Sequence, residues 1–401
     1  MFRPSLIRGA SVDSPDVSGY GLTRSRRASL SAEQRRKLSM LRSSSIPSPL
    51  TPKYVVSTDR SGDIHVHVQG IIPQPNKGDL SQQDKRCVFL TVHDLGTNHS
   101  TMVDFVNSPA MSEIKERSCF IHVDVPGHEE NSPDLPDSYQ FPSLQTLGED
   151  LITVLDFLHV RYAVGLGEGA GANVLARCGL AHPRRLLGLI LVNCTASTSS
   201  VADAFRSRFS RWRGADISQS EEDFLIYHKF GHVSFETEKH FSYQQISSDS
   251  LEAGERDRTL AEYRSRLRGN LNTHNIKQYV RAFINRKDLI LRGCQPDILL
   301  ITGMLSPYST VIEKMYKELD KERVTILKVD RAGDVLAETP AKVAQSLLLF
   351  CQGQGLLTSL PPPGVERRMS RAMSMEEYDK PNIRRLSLTP SVAESPPHRK
   401  L

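Results

Sequence analysis

Residues 162–172 read YAVGLGEGAGA, an apolar segment followed by a run of small residues. The pattern is that of a G-x-S-x-G nucleophile elbow, in which a serine sits on a tight strand-to-helix turn between glycines that let the chain segments pass closely. With Gly165 and Gly169 as the flanking glycines, the nucleophile position is Gly167. Glycine has no side chain that attacks a substrate. The segment therefore predicts an elbow without a nucleophile.

Strands and helices alternate regularly around this segment. An entry hairpin is predicted over residues 53–70, and the other predicted strands are 86–92, 118–125, 161–166, 186–193, 297–302 and 323–329. Helical periodicity is found at 144–158, 169–181 and 310–319 and from Thr339 onward. This order predicts an α/β protein with the α/β-hydrolase fold, whose central sheet is mostly parallel and covered by helices on both faces. Residues 195–296, polar and helix-like, predict a helical cap inserted between two strands.

Composition divides the 401 residues into a domain over residues 53–355 and two tails. Residues 1–52 and 356–401 are rich in Ser, Pro and Arg, so we expect both tails to be disordered. The formal charge is +6 for residues 1–52 and +3 for residues 361–401, which leaves −4 for the residues between them. Because the positive charge lies in the tails, we do not expect the domain to bind nucleic acid.

The cysteines indicate the redox environment of the chain. All six are scattered without C-x-x-C spacing, and most lie in apolar runs. This pattern is typical of reduced, buried thiols in a cytosolic protein. No apolar run has the length of a membrane span, and the first residues lack the apolar stretch of a secretory signal. We therefore expect a cytoplasmic protein.

The other two positions of a catalytic triad also lack the required residues. The loop after the penultimate predicted strand reads GMLSPYS, with Ser306 in the position of the acid. The loop after the last strand reads DRAGDVLAE, with Asp334 in the position of the histidine, and no histidine occurs between His274 and His398. Loss of one triad member already costs several powers of ten in rate. The sequence therefore predicts that the protein is not an enzyme.

Several polar residues come from the strand ends around the elbow and are candidates for lining a pocket: His93, Asp94, Gly96, Asp124 and Glu168. The backbone N–H of Glu168 and the HDLG loop at 93–96 are in the right order to form an oxyanion hole, which would bind a carbonyl or carboxylate. A metal or general-base site of His93, Asp94, Asp124 and His128 lacks ligand spacing. We predict instead that His93 and Asp94 shape their loop and that Asp124 fixes the turn at 126–127, with no metal bound.

Two other candidates have simpler structural explanations. His65 and His67 alternate with apolar residues and are predicted to face solvent from an edge hairpin. Cys194 follows a predicted strand, but the sequence places no histidine to activate its thiol.

The glycine run also fits a dinucleotide-binding fingerprint, because Gly165, Gly167 and Ala170 have the G-x-G-x-x-A spacing. The run follows several strands rather than the first one. The next strand ends at Asn193, where that fold requires an acidic residue for the ribose. We therefore expect no cofactor.

The first segment of the cap has an aromatic face. Between Val201 and Trp212, the side chains of Phe205, Phe209 and Trp212 share one side of a predicted helix, while arginines lie mainly on the others. This pattern predicts a cap helix that docks on the mouth of the sheet. The alternative is a helix that contacts a membrane surface or a partner.

The tails contain recurring kinase recognition patterns. Among the tail serines with Arg three residues earlier, the spacing favoured by basophilic AGC-type kinases, five are candidate phosphorylation sites: Ser29, Ser39, Ser370, Ser374 and Ser387. Each phosphate adds about −1.5 to −2 charges, so a few phosphorylations reverse the sign of either tail. We expect both tails to be regulated by phosphorylation.

Four local sequences resemble the N-myc downstream-regulated (NDRG) family, which has the α/β-hydrolase fold. They are HDLG at 93–96, HVDVPGHEE at 122–130, YQFPSL at 139–144 and GLGEGAGANVLAR at 165–177. They occur in the order and spacing of the family, over roughly residues 53–355. The cap and both tails depart from the family, and the C-terminal tail lacks the Ser/Thr/Arg decapeptide repeat of some relatives.

The resemblance implies a pseudoenzyme with tails phosphorylated by such kinases. We expect a non-catalytic binding or adaptor protein in cytoplasmic signalling, with roles in growth, differentiation or stress and with protein partners. The alternatives are an active hydrolase or lyase that uses a non-standard residue under the cap, and an adaptor that makes peripheral membrane contact through its basic tails.

Overall fold

An eight-stranded sheet forms the centre of the molecule. The computed structural model describes residues 52–197, 217–231 and 250–362, apart from 74, 77–78 and 84–85. Its strands are β1 (Lys53–Thr58), β2 (Gly62–Gln69), β3 (Pro75–Asn76), β4 (Asp79–Gln83), β5 (Cys87–Val92), β6 (Ser118–Asp124), β7 (Ala163–Glu168), β8 (Leu186–Val192), β9 (Asp297–Gly303) and β10 (Val324–Val329). The sheet has the order β1-β2-β6-β5-β7-β8-β9-β10, and β3 and β4 form a separate two-stranded ladder.

The direction of the strands follows from their connections. The hairpin strands β1 and β2 are antiparallel, and β2 is antiparallel to β6. From β6 to β10 every neighbouring pair is parallel. Parallel neighbours need crossovers, and helices supply most of them. The predicted fold class, a mostly parallel α/β sheet, is confirmed.

The helices cover both faces of this sheet. They are α1 (His99–Asn107), α2 (Ser112–Glu116), α3 (Leu144–Phe157), α4 (Gly169–Ala181), α5 (Gln219–Phe230), α6 (Ser250–Gly269), α7 (Thr273–Ile284), α8 (Ser309–Glu318), α9 (Val335–Glu338) and α10 (Pro340–Gly353). Side-chain caps begin several of them; for example, Ser143 accepts a hydrogen bond from Thr146 N and Asn98 accepts one from Ser100 N.

Alternate residues of the central strands contribute to two separate cores. On β5, Val88, Leu90 and Val92 join the core beneath α3 and α4. Cys87 and Phe89 point the other way and join the core beneath α1 and α10. Burial on both faces explains why these strands are continuous apolar runs rather than alternating ones.

Helices α5, α6 and α7 occupy the described part of the segment between β8 and β9, at the position of the predicted cap. A capping box between Ser218 and Glu221 begins α5. The predicted aromatic helix at 201–212 lies outside the described residues. Among the helices that the structure describes, none has the length and apolar character needed to cross a membrane.

Candidate functional site

The turn after β7 differs from the predicted elbow by two residues. Gly167 lies inside β7, paired with Val92 and Leu191 of the neighbouring strands. The strand ends at Glu168, and α4 begins at Gly169, whose φ of 51° lies in the left-handed region. An elbow places its nucleophile on this strained turn. The prediction of Gly167 as the nucleophile position is therefore wrong, and the position is Gly169.

The carboxylate of Asp94 fills the space beside Gly169. An ideal Cβ at position 169 would lie 2.0 Å from Asp94 Oδ1, well inside van der Waals contact. The same oxygen accepts a hydrogen bond of 2.8 Å from Ala170 N. In an elbow, the N–H after the nucleophile is an oxyanion-hole donor. The donor is therefore Ala170 rather than the predicted Glu168, and Asp94 already occupies it.

A histidine reaches the same carboxylate from α5. His228 Nε2 lies 3.0 and 2.9 Å from the two oxygens of Asp94, and Nδ1 is hydrogen-bonded to the hydroxyl of Tyr308. All three side chains are buried. Burial alone would raise the pKa of Asp94, but His228 and Lys229 lower it to about 2. Sequence reasoning missed His228 because it looked for a histidine only after β10, where the fold places the catalytic one.

A second buried network lies next to the first. Lys229 Nζ is 2.8 Å from both carboxylate oxygens of Glu168 and 3.1 Å from Asp334 Oδ2. Burial raises the pKa of Glu168 to about 8, although Lys229 opposes this shift. Asp334 also caps α9 by accepting a hydrogen bond from Ala337 N. The residue at the predicted position of the histidine is therefore an acid bound to a lysine.

Ser306 lies in the loop between β9 and α8 and is buried. Its Oγ accepts a hydrogen bond of 3.3 Å from Tyr308 N, and its own N–H donates to Gly303 O. A neutral hydroxyl lacks the negative charge by which a triad acid stabilises an imidazolium. The described residues of this loop include no carboxylate.

His93 and Gly96 order the loop after β5. Val125 N donates to His93 Nε2 at 3.2 Å, which leaves the proton on Nδ1 to donate to Asp94 O at 2.8 Å. Burial lowers the pKa of His93, in keeping with a neutral ring. Gly96 has φ 64°, and an ideal Cβ there would lie 2.5 Å from the hydroxyl of Tyr263 on α6. The glycine therefore permits α6 to approach the loop closely.

Asp124 belongs to a separate cluster at the end of β6. Its Oδ1 accepts a hydrogen bond of 2.6 Å from His99 N, and its Oδ2 lies 2.7 Å from His99 Nδ1 and 3.2 Å from His67 Nε2. The prediction that Asp124 fixes the turn at 126–127 is wrong, because its side chain faces the first turn of α1.

The histidines of β2 do not face open solvent. The prediction was wrong because β2 is not an edge strand: it lies between β1 and β6. The side chain of His67 is 12% exposed, and its ring stacks on that of His99. His65 Nδ1 lies 3.1 Å from a carboxylate oxygen of Glu129.

The cysteines are structural. All six are free and buried, which confirms the predicted pattern. Burial raises the pKa of Cys194 to about 12. A thiol with so high a pKa is a poor nucleophile at neutral pH.

The five tail serines Ser29, Ser39, Ser370, Ser374 and Ser387 lie outside the described residues, so their phosphorylation stays a prediction.

Sequence comparison identifies a family model and several related proteins that match this chain. Residues 54–358 match the model of the Ndr family. An uncharacterized protein of Caenorhabditis elegans is 36% identical over 341 residues, which cover 84% of this chain and 94% of that protein. Protein NDRG1-A of Xenopus laevis is 30% identical over 306 residues, which cover 73% of this chain and 72% of that protein.

Solved structures of hydrolases share the fold of this chain. A thermophilic esterase from Thermogutta terrifontis superposes with a TM-score of 0.56 at 14% identity, covering 75% of this chain and 98% of the esterase. A hydrolase from Pseudomonas aeruginosa has a TM-score of 0.53 at 18% identity, covering 74% and 97% of the two chains. At such identities the similarity concerns the fold alone.

Proposed function

This chain belongs to the Ndr family, and from that premise we propose that it is a non-catalytic protein that uses an α/β-hydrolase fold to bind partners in cytoplasmic signalling. The observation that carries the proposal is the occupied elbow. Asp94 fills the space in which a nucleophilic side chain would stand, and it accepts the hydrogen bond from Ala170 that would stabilise an oxyanion.

The contacts of Asp94 also oppose entry of a substrate. A carbonyl oxygen that approached Ala170 N would have to displace a carboxylate that is bonded to both Ala170 and His228. Hydrogen bonds to charged groups contribute about 1.5–3 kcal/mol each. A substrate would therefore gain little, because its one new hydrogen bond from Ala170 N would replace two that Asp94 already makes. The arrangement therefore favours a closed pocket over turnover.

A cavity outside the elbow offers a place for ligand or partner contact. It has a volume of about 920 Å³ and lies between the loop that leads into α3 and the end of α7. Aromatic side chains such as Tyr139 and Phe141 line it together with basic ones such as Arg286. Its lining does not include Asp94, Glu168 or His228. Binding at this cavity would leave the buried networks intact.

We propose that phosphorylation of the two tails regulates partner binding. The five candidate serines, each with Arg three residues earlier, lie within residues 1–52 and 356–401, where the net charge is positive. Phosphate groups there reverse the charge of a segment that would otherwise attract acidic surfaces. We infer that AGC-type kinases switch the partner preference of the tails.

Turnover assays test the non-catalytic part of the proposal. The wild-type chain is incubated with ester, epoxide and thioester substrates, and we expect rates equal to those without protein. His228→Gln removes the imidazole beside Asp94, and His182→Gln, at a residue that directly follows α4 and does not line the cavity, is the matched control. Turnover that His228→Gln abolishes and His182→Gln leaves unchanged would establish the rival function, an active hydrolase or lyase.

Affinity capture tests the regulatory part. The full chain is phosphorylated by an AGC kinase and compared with a variant in which the five tail serines are alanine. The control variant carries alanine at Ser18 and Ser391, which lack Arg three residues earlier. We expect the captured proteins to change with phosphorylation in the wild type and the control only. An identical set for all three chains would refute regulation by these sites.

A further inference from the structure

A cluster of two histidines and a carboxylate lies apart from the elbow. His67 comes from β2, His99 is the first residue of α1, and Asp124 is the last residue of β6. One ligand atom of each residue lies within 4.8 Å of those of the other two. Strand pairing and the start of a helix, rather than a short motif, bring these atoms together.

The side chains converge on one oxygen. Asp124 Oδ2 lies 2.7 Å from His99 Nδ1 and 3.2 Å from His67 Nε2. A tetrahedral zinc ion holds nitrogen and oxygen ligands at about 2.0–2.2 Å, which separates neighbouring ligand atoms by roughly 3.4 Å. The two contacts would need to open by less than about 1 Å to admit an ion. The imidazoles stack with centroids 3.5 Å apart and planes 9° apart, and one nitrogen of each ring lies within 4.8 Å of the other.

The charge of the cluster favours a cation. Asp124 is completely buried, and its hydrogen-bond and ion-pair partners among the described residues are His67 and His99 rather than a lysine or arginine. Buried carboxylates in proteins are usually paired with a cation or coordinate a metal. The side chains of His67 and His99 are 12% and 15% exposed, so the site has an opening to solvent.

We propose that His67, His99 and Asp124 bind a divalent transition-metal ion, Zn²⁺ by preference, with water as a fourth ligand. Two imidazoles and one carboxylate suit zinc, whereas Mg²⁺ and Ca²⁺ prefer sites made of oxygen ligands. The bound ion links β2, β6 and α1. This site is independent of the proposed function, because none of its three residues contacts Gly169 or Ala170 in the described hydrogen bonds.

Zinc titration of the full chain tests the proposal. After treatment with a chelator, the wild type should bind one Zn²⁺ per chain by calorimetry, and saturating Zn²⁺ should raise Tm by roughly 3–6 °C. His67→Phe keeps a ring to stack on His99 but removes a ligand, so we expect affinity at least about 100-fold lower. His65→Phe is the matched control, two residues earlier on the same strand face, and it should bind like the wild type.

Equal zinc affinity in the wild type and His67→Phe would overturn the proposal, as would Mg²⁺ that binds the wild type as tightly as Zn²⁺. Circular dichroism first verifies that each variant is folded. If His67→Phe does not fold, Asp124→Asn takes its place, because the amide oxygen still accepts the hydrogen bond from His99 N while the negative charge is lost. Unchanged zinc binding by Asp124→Asn would also refute the site.

Discussion

Gly169→Ser is the substitution that most directly tests the occupied elbow. It restores the residue that a hydrolase carries at this turn. The new Cβ would lie 2.0 Å from Asp94 Oδ1 and 2.2 Å from Asp94 Cγ. Ordinary contact between heavy atoms is about 3.5–4.0 Å, so the carboxylate would have to move by more than about 1 Å. We expect a destabilised protein that has no esterase activity.

The size of the destabilisation follows from two contributions. A non-glycine residue at φ 51° costs about 1–2 kcal/mol. Displacing Asp94 breaks its hydrogen bond from Ala170 or its contact with His228, each worth about 1.5–3 kcal/mol. The sum is about 2.5–5 kcal/mol in the free energy of unfolding.

Gly293→Ser separates the two contributions. Gly293 has φ 80°, and an ideal Cβ there meets nothing within 4 Å. It should therefore cost only the backbone strain of about 1–2 kcal/mol. Urea denaturation followed by circular dichroism gives both free energies, and hydrolysis of p-nitrophenyl acetate gives the activity. If Gly169→Ser costs no more than Gly293→Ser, Asp94 does not fill the elbow; if it hydrolyses the ester, the assignment of empty acid and histidine positions is wrong.

Three further predictions concern buried groups. Lys229→Met should lower the free energy of unfolding at pH 7 by about 3–5 kcal/mol in urea denaturation, because the buried carboxylate of Asp334 loses its cation and the carboxyl group of Glu168 loses its hydrogen-bond partner; a loss below 1 kcal/mol would contradict the network. Glu168 has a pKa of about 8 in the folded protein, whereas its ordinary value is 4.5. Between these two pH values the native state holds a proton that the unfolded state has lost, so the free energy of unfolding should fall as pH rises from about 4.5 to 8. Between pH 6 and 8 the wild type should lose about 1 kcal/mol per pH unit relative to Glu168→Gln, and parallel stability curves would refute this. All six thiols are buried, so a thiol reagent should label none of them quickly in the native protein and all six in denaturant.

The fold was predictable because the two sequence patterns that indicate it, apolar runs and helical periodicity, are local. Apolar runs such as Cys87–Val92 mark strands buried on both faces, and their alternation with helical periodicity specifies a parallel sheet. The start of α4 at Gly169 and the end at Ala181 were predicted to the residue. Helix α1 was missed, because the HDLGTNH loop reads as irregular and only its last residue enters the helix.

The site was less predictable, because it depends on register and on distant parts of the chain. Glycine recurs at every second position from 165 to 171, so the elbow motif fits in more than one register. Only the positive φ at Gly169 distinguishes the turn from the strand. His228 and Lys229 come from α5, more than fifty residues after the elbow, and no sequence period connects them to Asp94 or Glu168. The same is true of His67, His99 and Asp124, which strand pairing and the start of α1 bring together.

The empty nucleophile position and the buried charges are physically connected. Because Gly169 has no side chain, the carboxylate of Asp94 can approach Ala170 N, and a buried carboxylate then requires partners. His228 supplies one, and the adjacent Lys229 binds Glu168 and Asp334. A single turn of α5 is therefore held by three acids, one at the end of β7 and two in the loops after β5 and β10. Opening the cap would expose or separate all of these charges at once, and breaking one buried pair already costs about 3–5 kcal/mol. We infer that α5 is fixed in place and that binding takes place on the outer surfaces and tails rather than beneath the cap.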